Sequence, residues 1–549
     1  MVKRTIWASW TAVFFLALAA AALAQGAQLN DPKANDWPQW RGPTRDGVAP
    51  AGPKLLDSWP KEGPKLLWKS EAIPGWAEGG SGSVSVASGR AFVYVNWAHF
   101  EPKKLLTPEY LTGWGGAPDM PEDLVKKVED ARQSEACKKL KAGPDLDTYI
   151  KEFLAKLDAG QAQKFGVAIA NRLKRGGNAW NWQTLTKLAK NVDREFKTPD
   201  EVWEVYKDTN IHHNDLLQGE ISTLIRSAQR YTDTIICLDA ATGKELWKKE
   251  FPGTYAGMWG ANFLASGTPA IAGDRCYVAG SQGLYCLAAK DGTEVWKVPT
   301  KYSNSSVLAL DGSVFVLASP SNKPVSSMGG ELCGYSAAAG RLLWKQPKVG
   351  SGWGSSVVPW TSGGKNYLIA NSDGGTFCVE PEKGTVLWQV PGGGSSTAAI
   401  SGDTMVVHSG KVRAFKISPQ KADLLWEVPM HGDRFGSPLI YQDRVYFEGA
   451  YESGFGCLDL KTGAVKWCQK NETGHCSSPV VADGKLFAVF GSGDLITGAL
   501  RMYKPGTEKF EELGRFIPKA SNCTSPVIAD GRLYLRLVDG VACYDLVAR

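Results

Sequence analysis

The sequence predicts an all-β fold: an eight-bladed β-propeller with four-stranded antiparallel blades, N- and C-terminal strands closing one blade, and an α-helical insertion in the first blade. Three observations carry this expectation. One short sentence recurs six times along the chain, a second hairpin precedes most of its copies, and the two ends of the propeller region carry half-copies.

The recurring sentence is strand, tight turn, strand ending in Trp. It reads Cys237-Leu-Asp-Ala-Ala-Thr-Gly-Lys-Glu-Leu-Trp247 in its clearest form and returns at 286–296, 335–344, 378–388, 415–426 and 457–467. Its tryptophans, Trp247, Trp296, Trp344, Trp388, Trp426 and Trp467, follow one another at 38 to 49 residues. That period suits propeller blades or helical arrays. Thr-Gly and Asp-Gly turns between short β-rich runs select hairpins. A helical array would instead place apolar residues three and four apart.

The second hairpin is seen in Ser477-Ser-Pro-Val-Val-Ala-Asp-Gly-Lys-Leu-Phe-Ala488 and Thr524-Ser-Pro-Val-Ile-Ala-Asp-Gly-Arg-Leu-Tyr-Leu535. Two hairpins per period make a four-stranded sheet, and radial repetition leaves only short, protected edges. Pro64-Lys-Leu-Leu-Trp68 matches only the last strand of the motif, and Val541-Ala-Cys-Tyr-Asp-Leu546 only the strand before it. Pairing them closes the ring. A Trp-less hairpin over 499–516 and the closing blade bring the expected number to eight. The repeated Trp, with Trp68, reads as a scaffold residue filling the space between sheets.

The chain opens with Lys3, Arg4, an apolar run over 14–23 and the small-residue site Ala22-Leu23-Ala24. This pattern predicts a signal peptide over 1–24, cleaved near Ala24. No later stretch is long and apolar enough to span a bilayer. The expectation is an exported, soluble protein, periplasmic or extracellular. Residues 25–59 form a lead-in segment, 60–98 and 231–549 the propeller, and 99–230 the insertion. Within the insertion, 121–132, 146–157, 161–175 and 182–196 have helical period, and Pro199-Asp200-Glu201 opens another helix with an acidic first turn.

Charge and cysteine usage exclude several functions. The formal charge of +6, from 62 basic and 56 acidic residues, is too weak over this length to imply nucleic acid or an anionic membrane. Of the 11 cysteines, Cys237, Cys286, Cys378, Cys457 and Cys543 occupy one strand position in different blades. Equivalent sites of separate blades lie too far apart to bridge, so these are core fillers. Cys468 with Cys476, or Cys476 with Cys523, are the pairs whose places allow a bond. No spacing resembles a zinc site. His212-His213-Asn214-Asp215 and His99 read as solvated loop residues, and no metal is expected.

The small-residue/Leu/Asp/Thr-Gly/Trp sentence and the Ser-Pro-Val hairpins resemble the pyrroloquinoline-quinone (PQQ) type propeller repeat, over about 60–98 and 231–549. The lead-in Asp36-Trp-Pro-Gln-Trp-Arg-Gly-Pro43 resembles that of many exported bacterial proteins of this superfamily, and its two Trp rings are expected to dock on the propeller. The resemblance implies two branches. Quinoprotein dehydrogenases bind PQQ and calcium in the central funnel, and their site usually includes an adjacent Cys-Cys pair, which this sequence lacks. BamB-type assembly subunits carry no cofactor and offer the ring surface to other proteins. This chain lacks a Cys near the cleavage site to carry a lipid anchor, and has the helical insertion besides.

In a propeller the innermost strand of each blade lines the funnel, here the strand carrying Ser-Pro-Val or its variant. Residues just before it are expected at the mouth: Trp76, Glu78, Trp259, Asn262, Tyr302, Asn304, Trp353, Arg434, Phe435, His475 and Asn522. Convergent aromatic and polar groups at a concave mouth are what a small-molecule site needs. Glu78 or Asp433 could serve there as a base, with Arg434 stabilising an anion. The functional expectation is a non-catalytic exported scaffold for envelope proteins or a small ligand, without cofactor. The alternatives are a PQQ- and calcium-dependent alcohol or sugar dehydrogenase with a diverged site, and a carbohydrate-binding propeller.

Overall fold

The computed structural model describes residues 35–76, 78–207, 215–254, 267–300, 303, 305–318, 330–350, 352, 354–372, 374–408, 410–429, 436–448, 455–469, 477–491, 497–521 and 523–549. The expected signal peptide, the His212–His213 pair and Cys476 lie outside them. Two compact units emerge, one comprising the chain through Ala98 and from Tyr231 onward, the other His99–Arg230.

The first unit is a series of antiparallel sheets, six of four strands and one of eight. Ser85–Ala87, Arg90–Phe100, Gln229–Asp239 and Glu245–Thr254 form the first sheet. Ala270–Ala272, Arg275–Ala279, Gly283–Ala288 and Glu294–Pro299 form the second. The third to sixth begin at Leu308–Leu310, Val358–Ser362, Ala399–Ser401 and Leu439–Tyr441. The eight-stranded sheet consists of two sets of four. One runs from Val480–Ala482 to Glu512–Ser521; the other takes Val527–Ala529, Arg532–Leu537 and Gly540–Asp545 and adds Lys65–Lys69. A single residue pair, Ala520 opposite Leu537, joins the sets. Lys65–Lys69 lies antiparallel to Gly540–Asp545, with Trp68 opposite Cys543, so the two ends of the unit share one sheet.

The repeated sentence works as a seam. Each Trp donates its indole N–H to a backbone carbonyl of the next repeat: Trp68 to Ala240 (3.1 Å), Trp247 to Ala289 (3.2 Å), Trp296 to Ala337 (3.0 Å) and Trp344 to Pro381 (2.8 Å). Trp388 reaches Ser418 (2.8 Å), Trp426 Leu460 (2.8 Å) and Trp467 Thr507 (3.2 Å). The Gly of the following turn completes the fit. Gly243 sits at φ +73°, and a Cβ there would fall 2.3 Å from the Trp68 ring. The Thr-Gly turn and the Trp are therefore two halves of one contact. Between the seams Cys237, Cys286, Cys378, Cys457 and Cys543 are buried, and burial pushes their thiols up to about 12. Thiols held so far above neutral pH are inert.

The second unit contains helices Pro108–Gly113, Glu122–Gln133, Glu135–Lys138, Pro144–Ala155, Ala159–Arg175, Trp182–Ala189, Pro199–Tyr206 and Asp215–Arg226. Side-chain caps start several of them: Asp158 accepts from the Gln161 N–H (2.8 Å), Asn181 from Thr184 (2.7 Å) and Thr198 from Glu201 (3.3 Å). The helix expected over 182–196 ends early, at Ala189. Asp193 takes φ +60° in the turn that follows, and Phe196 turns into the core in a short strand paired with Lys103–Lys104. Burying Phe196 there outweighs continuing the helix past Asn191 and Asp193, which favour turns. One apolar cluster centres on Trp114 stacked on Trp180 (4.3 Å, 6°), with the Arg175 guanidinium 3.5 Å from the Trp114 ring centre. Another gathers Leu124, Val128, Ile150, Phe165 and Ile169. Beside it Glu129 accepts from Arg132 (2.6 Å) and from the buried Arg172.

Candidate functional site: the channel and its mouth

The Ser or Thr that precedes Pro-Val in the second hairpin has a shared task. The Ser83 N–H donates to Thr268 (3.1 Å), Thr268 to Ser306 (3.0 Å), Ser306 to Ser356 (2.9 Å) and Ser356 to Thr397 (2.8 Å). Thr397 donates to Ser437 (2.9 Å), Ser437 to Ser478 (3.0 Å), Ser478 to Ser525 (3.0 Å), and Ser525 back to Ser83 (2.9 Å). Each backbone N–H meets the hydroxyl of the next repeat, and the circuit closes on itself. All eight residues are buried. The sequence displays these hydroxyls, four of them directly before Pro, but single-repeat reasoning gives no partner for them.

The lead-in segment runs along the innermost strands. An innermost strand pairs on one side only, so its other edge presents unpaired backbone groups. Trp37 exchanges two hydrogen bonds with Val86 (2.8 Å each), and Pro38 accepts from Ile271 (2.7 Å). Gly47 and Ala49 bracket Val481 with two more of 2.8 Å. Arg45 donates to Ser306 (3.0 Å), to Val307 (2.6 Å) and to Val357, and Arg41 to Pro438 (2.8 Å). Both arginines are 1% exposed and both take φ +61°, a strained setting for a side-chain-bearing residue. Burial pushes Arg45 down to about 9 and Arg41 to about 10, which still leaves both charged at neutral pH. Trp37 and Trp40 are buried with them.

Residues 75–80, expected at the mouth, form a tight loop. Trp76 takes φ +50°, exchanges backbone bonds with Gly80 (2.9 and 2.7 Å), and receives a contact from Ser521, whose Oγ accepts the Trp76 N–H at 3.1 Å. The Glu78 carbonyl accepts from Ala98 (2.9 Å), and its side chain is exposed. A Cβ at Gly79 would meet the Pro74 carbonyl oxygen at 1.8 Å, so only glycine fits the turn. Trp76 and Glu78 thus lie on one loop. Trp259, Asn262, Tyr302, Asn304, Trp353, Arg434, Phe435, His475, Asn522 and Asp433 lie outside the described residues. Among the described residues no three His, Cys, Asp or Glu side chains are grouped to hold a metal.

A set of buried polar side chains, which the sequence did not reveal, lies on the strands paired with the innermost ones. At five of the innermost strands the residue two beyond the partner of the strand's first residue is Tyr94, Asn371, His408, Glu448 or Arg536, all buried, while at three others it is the apolar Ala279, Leu317 or Val489. Asn371 fastens the linker to the next sheet, donating to Ser396 (2.7 Å) and accepting from Gly393 (3.0 Å). Arg536 donates to Pro74, at the base of the Trp76 loop. Tyr94 donates to Asp233 (2.7 Å), a fully buried carboxylate that also accepts from Asn96 (2.8 Å), Tyr285 (2.7 Å), and the Ser281 N–H and hydroxyl (2.9 and 3.1 Å). Burial and then the Asp233 charge push the Tyr285 phenol up, keeping it a donor. Register equivalence, which appears only once strands are paired, is the signal that finds this set.

Repeated four-stranded antiparallel sheets, seamed by Trp and strung on hydroxyls, define a β-propeller. The family model described as outer membrane protein assembly factor BamB matches residues 231–389 and 321–501. Residues 231–501 thus carry the PQQ-like propeller repeat. Among solved structures, BamB from Moraxella catarrhalis is similar at 16% identity and a TM-score of 0.45, over 58% of this chain and 89% of that one. Quinohemoprotein alcohol dehydrogenase from Comamonas testosteroni is similar at 11% identity and a TM-score of 0.41, over 58% and 73%. No curated protein matches the chain. No helix among the described residues is long and apolar enough to cross a membrane.

Proposed function

We propose that this chain is an exported, eight-bladed propeller that serves at the cell envelope as a non-catalytic scaffold for other proteins. The eight-hydroxyl circuit and the pairing of Lys65–Lys69 with Gly540–Asp545 support the blade count, and the leader pattern at residues 3–24 supports export.

The observation that carries the scaffold reading is the exposure of paired leucines on strands that end their sheets. Leu66 and Leu67 are 50% and 38% exposed, Leu342 and Leu343 45% and 38%, and Leu424 and Leu425 56% and 49%. A terminal strand with apolar side chains and an open backbone edge accepts an added strand from another protein. A photo-crosslinker at Leu343 or Leu425 in the exported protein should capture an extended segment of an envelope protein, and Leu424→Asp/Leu425→Asp should abolish capture at that edge without changing the fold. Oxidation of an alcohol or sugar on adding PQQ and calcium would contradict the reading.

One observation favours a second reading, a small-molecule site at the mouth. Trp76 is held at φ +50° next to the exposed Glu78, and strained backbone of this kind gathers at ligand sites. A glycan or a quinone is the ligand class an aromatic ring beside a carboxylate suits. Glycan retention lost on Trp76→Ala would support it, and unchanged retention would remove it.

A further inference from the structure

The lead-in segment makes its contacts as a ligand would. It reaches the innermost strands, or the residues just before them, in the first, second, third, fourth and sixth sheets and in the eight-stranded sheet. Its main chain adds to their open edges, antiparallel at Trp37–Val86 and parallel at Val48–Val481. Its two arginines, four residues apart, cap carbonyls that the sheets leave unpaired. The ring closes without it, through Lys65–Lys69 and through the Ser525–Ser83 bond. Its fit is incomplete at one end. A cavity of about 390 Å3 remains between Pro50–Pro53 and Tyr441, Asp483 and Asp530.

We propose that the axial channel is a peptide-acceptor site that this chain fills with its own residues 36–57. The ligand it takes is a segment that pairs by its backbone at two short stretches, here Trp37 and Gly47–Ala49, joined by a turn that carries arginines at a four-residue spacing. The charged guanidiniums supply the strongest contacts, since they are buried and donate to carbonyls. Backbone pairing supplies the rest, as in strand addition elsewhere. The site is occupied in cis, so it is open to another chain's segment only when the lead-in leaves. This inference is independent of the scaffold reading, which concerns the outer strands.

The test uses the full chain with a protease site inserted between Lys61 and Glu62, both exposed. After folding and cutting, the strap should stay bound, then exchange with an excess of labelled synthetic peptide spanning residues 35–57. The same peptide carrying Arg41→Ala and Arg45→Ala should compete at least tenfold less well. In a second experiment, the uncut Arg41→Ala/Arg45→Ala protein should lose amide protection at Val86, Ile271 and Val481 but keep it in the outer strands. Failure of the cut strap to exchange with the peptide would overturn the proposal. So would equal competition by the alanine peptide, or loss of protection throughout the sheets when the strap is released.

Discussion

Asp233 gives the sharpest energetic prediction. Its carboxylate accepts five hydrogen bonds from Tyr94, Asn96, Tyr285 and Ser281, and it is wholly buried. It lies on Gln229–Asp239, the strand through which the chain returns from the helical unit, while Tyr94 and Asn96 lie on Arg90–Phe100, through which it leaves. Asp233→Ala strips the acceptor from all five donors. Each orphaned buried donor costs about 1–3 kcal/mol, and the terms do not add fully, so a loss of about 4 kcal/mol is expected. Asp233→Asn keeps the shape but turns one acceptor into a donor facing donors, for a loss of about 2 kcal/mol. The measurement is amide exchange of the first and second sheets under mild urea, because a chain of two units has no single unfolding free energy. A loss below about 1 kcal/mol for Asp233→Ala would refute the view that this carboxylate pins the two sheets.

Three further outcomes follow from the same contacts. Gly243→Ala places a Cβ 2.3 Å from the Trp68 ring at φ +73°, and urea titration of the propeller should show a loss of about 2 kcal/mol or more. Trp426→Phe keeps an aromatic ring but removes part of a buried side chain and leaves the Leu460 carbonyl, now 2.8 Å from the indole nitrogen, without its donor; the same titration should show about 2 kcal/mol lost. In the helical unit, burial raises Glu129 while the bonds from Arg132 and Arg172 lower it, and the lowering wins. A depressed carboxylate contributes its full stabilisation above the unfolded value, about 4.3, and loses it as pH falls through the folded value. Helical circular dichroism should therefore melt at lower temperature as pH is taken from 6 to 3, and Glu129→Gln should flatten that dependence.

Much of the fold was legible because the seam is written twice. A Trp ends one repeat, and at five of the seven seams a Gly sits in the turn of the next, where the ring leaves room for nothing larger. Trp, at 21 of 549 residues, is rare enough for its period to stand out. The two half-copies at Trp68 and Cys543 were legible for the same reason, and they meet as direct neighbours in register. The helical unit was legible in its longer helices, where apolar period and caps agree. It was misread at Phe196, where burial overrode helical continuation. The channel was less legible. Ser and Thr before Pro read locally as strand starts, and only the packing of sheets gives each hydroxyl the next repeat's N–H. Nothing in the lead-in sequence marks Arg41 and Arg45 for burial. Their burial depends on carbonyls from residues 306, 307, 357 and 438, far along the chain. Asp233 was hidden in a strand, since its five donors come from three separate segments.

The central claim is that the hydroxyl circuit closes the propeller, with the Ser525–Ser83 bond equivalent to the links within the chain. It is tested by measuring the exchange of the Ser525 amide in Ser83→Ala against that of the Thr397 amide in Ser437→Ala. Both amides now donate at 2.9 Å to the hydroxyl removed. Each should lose about 1–2 kcal/mol of protection, roughly tenfold faster exchange, and by the same amount at both sites. A Ser525 amide that exchanges fast in the unaltered protein, or does not respond to Ser83→Ala while Thr397 responds to Ser437→Ala, would show that the circuit is open at the joint between the chain's two ends.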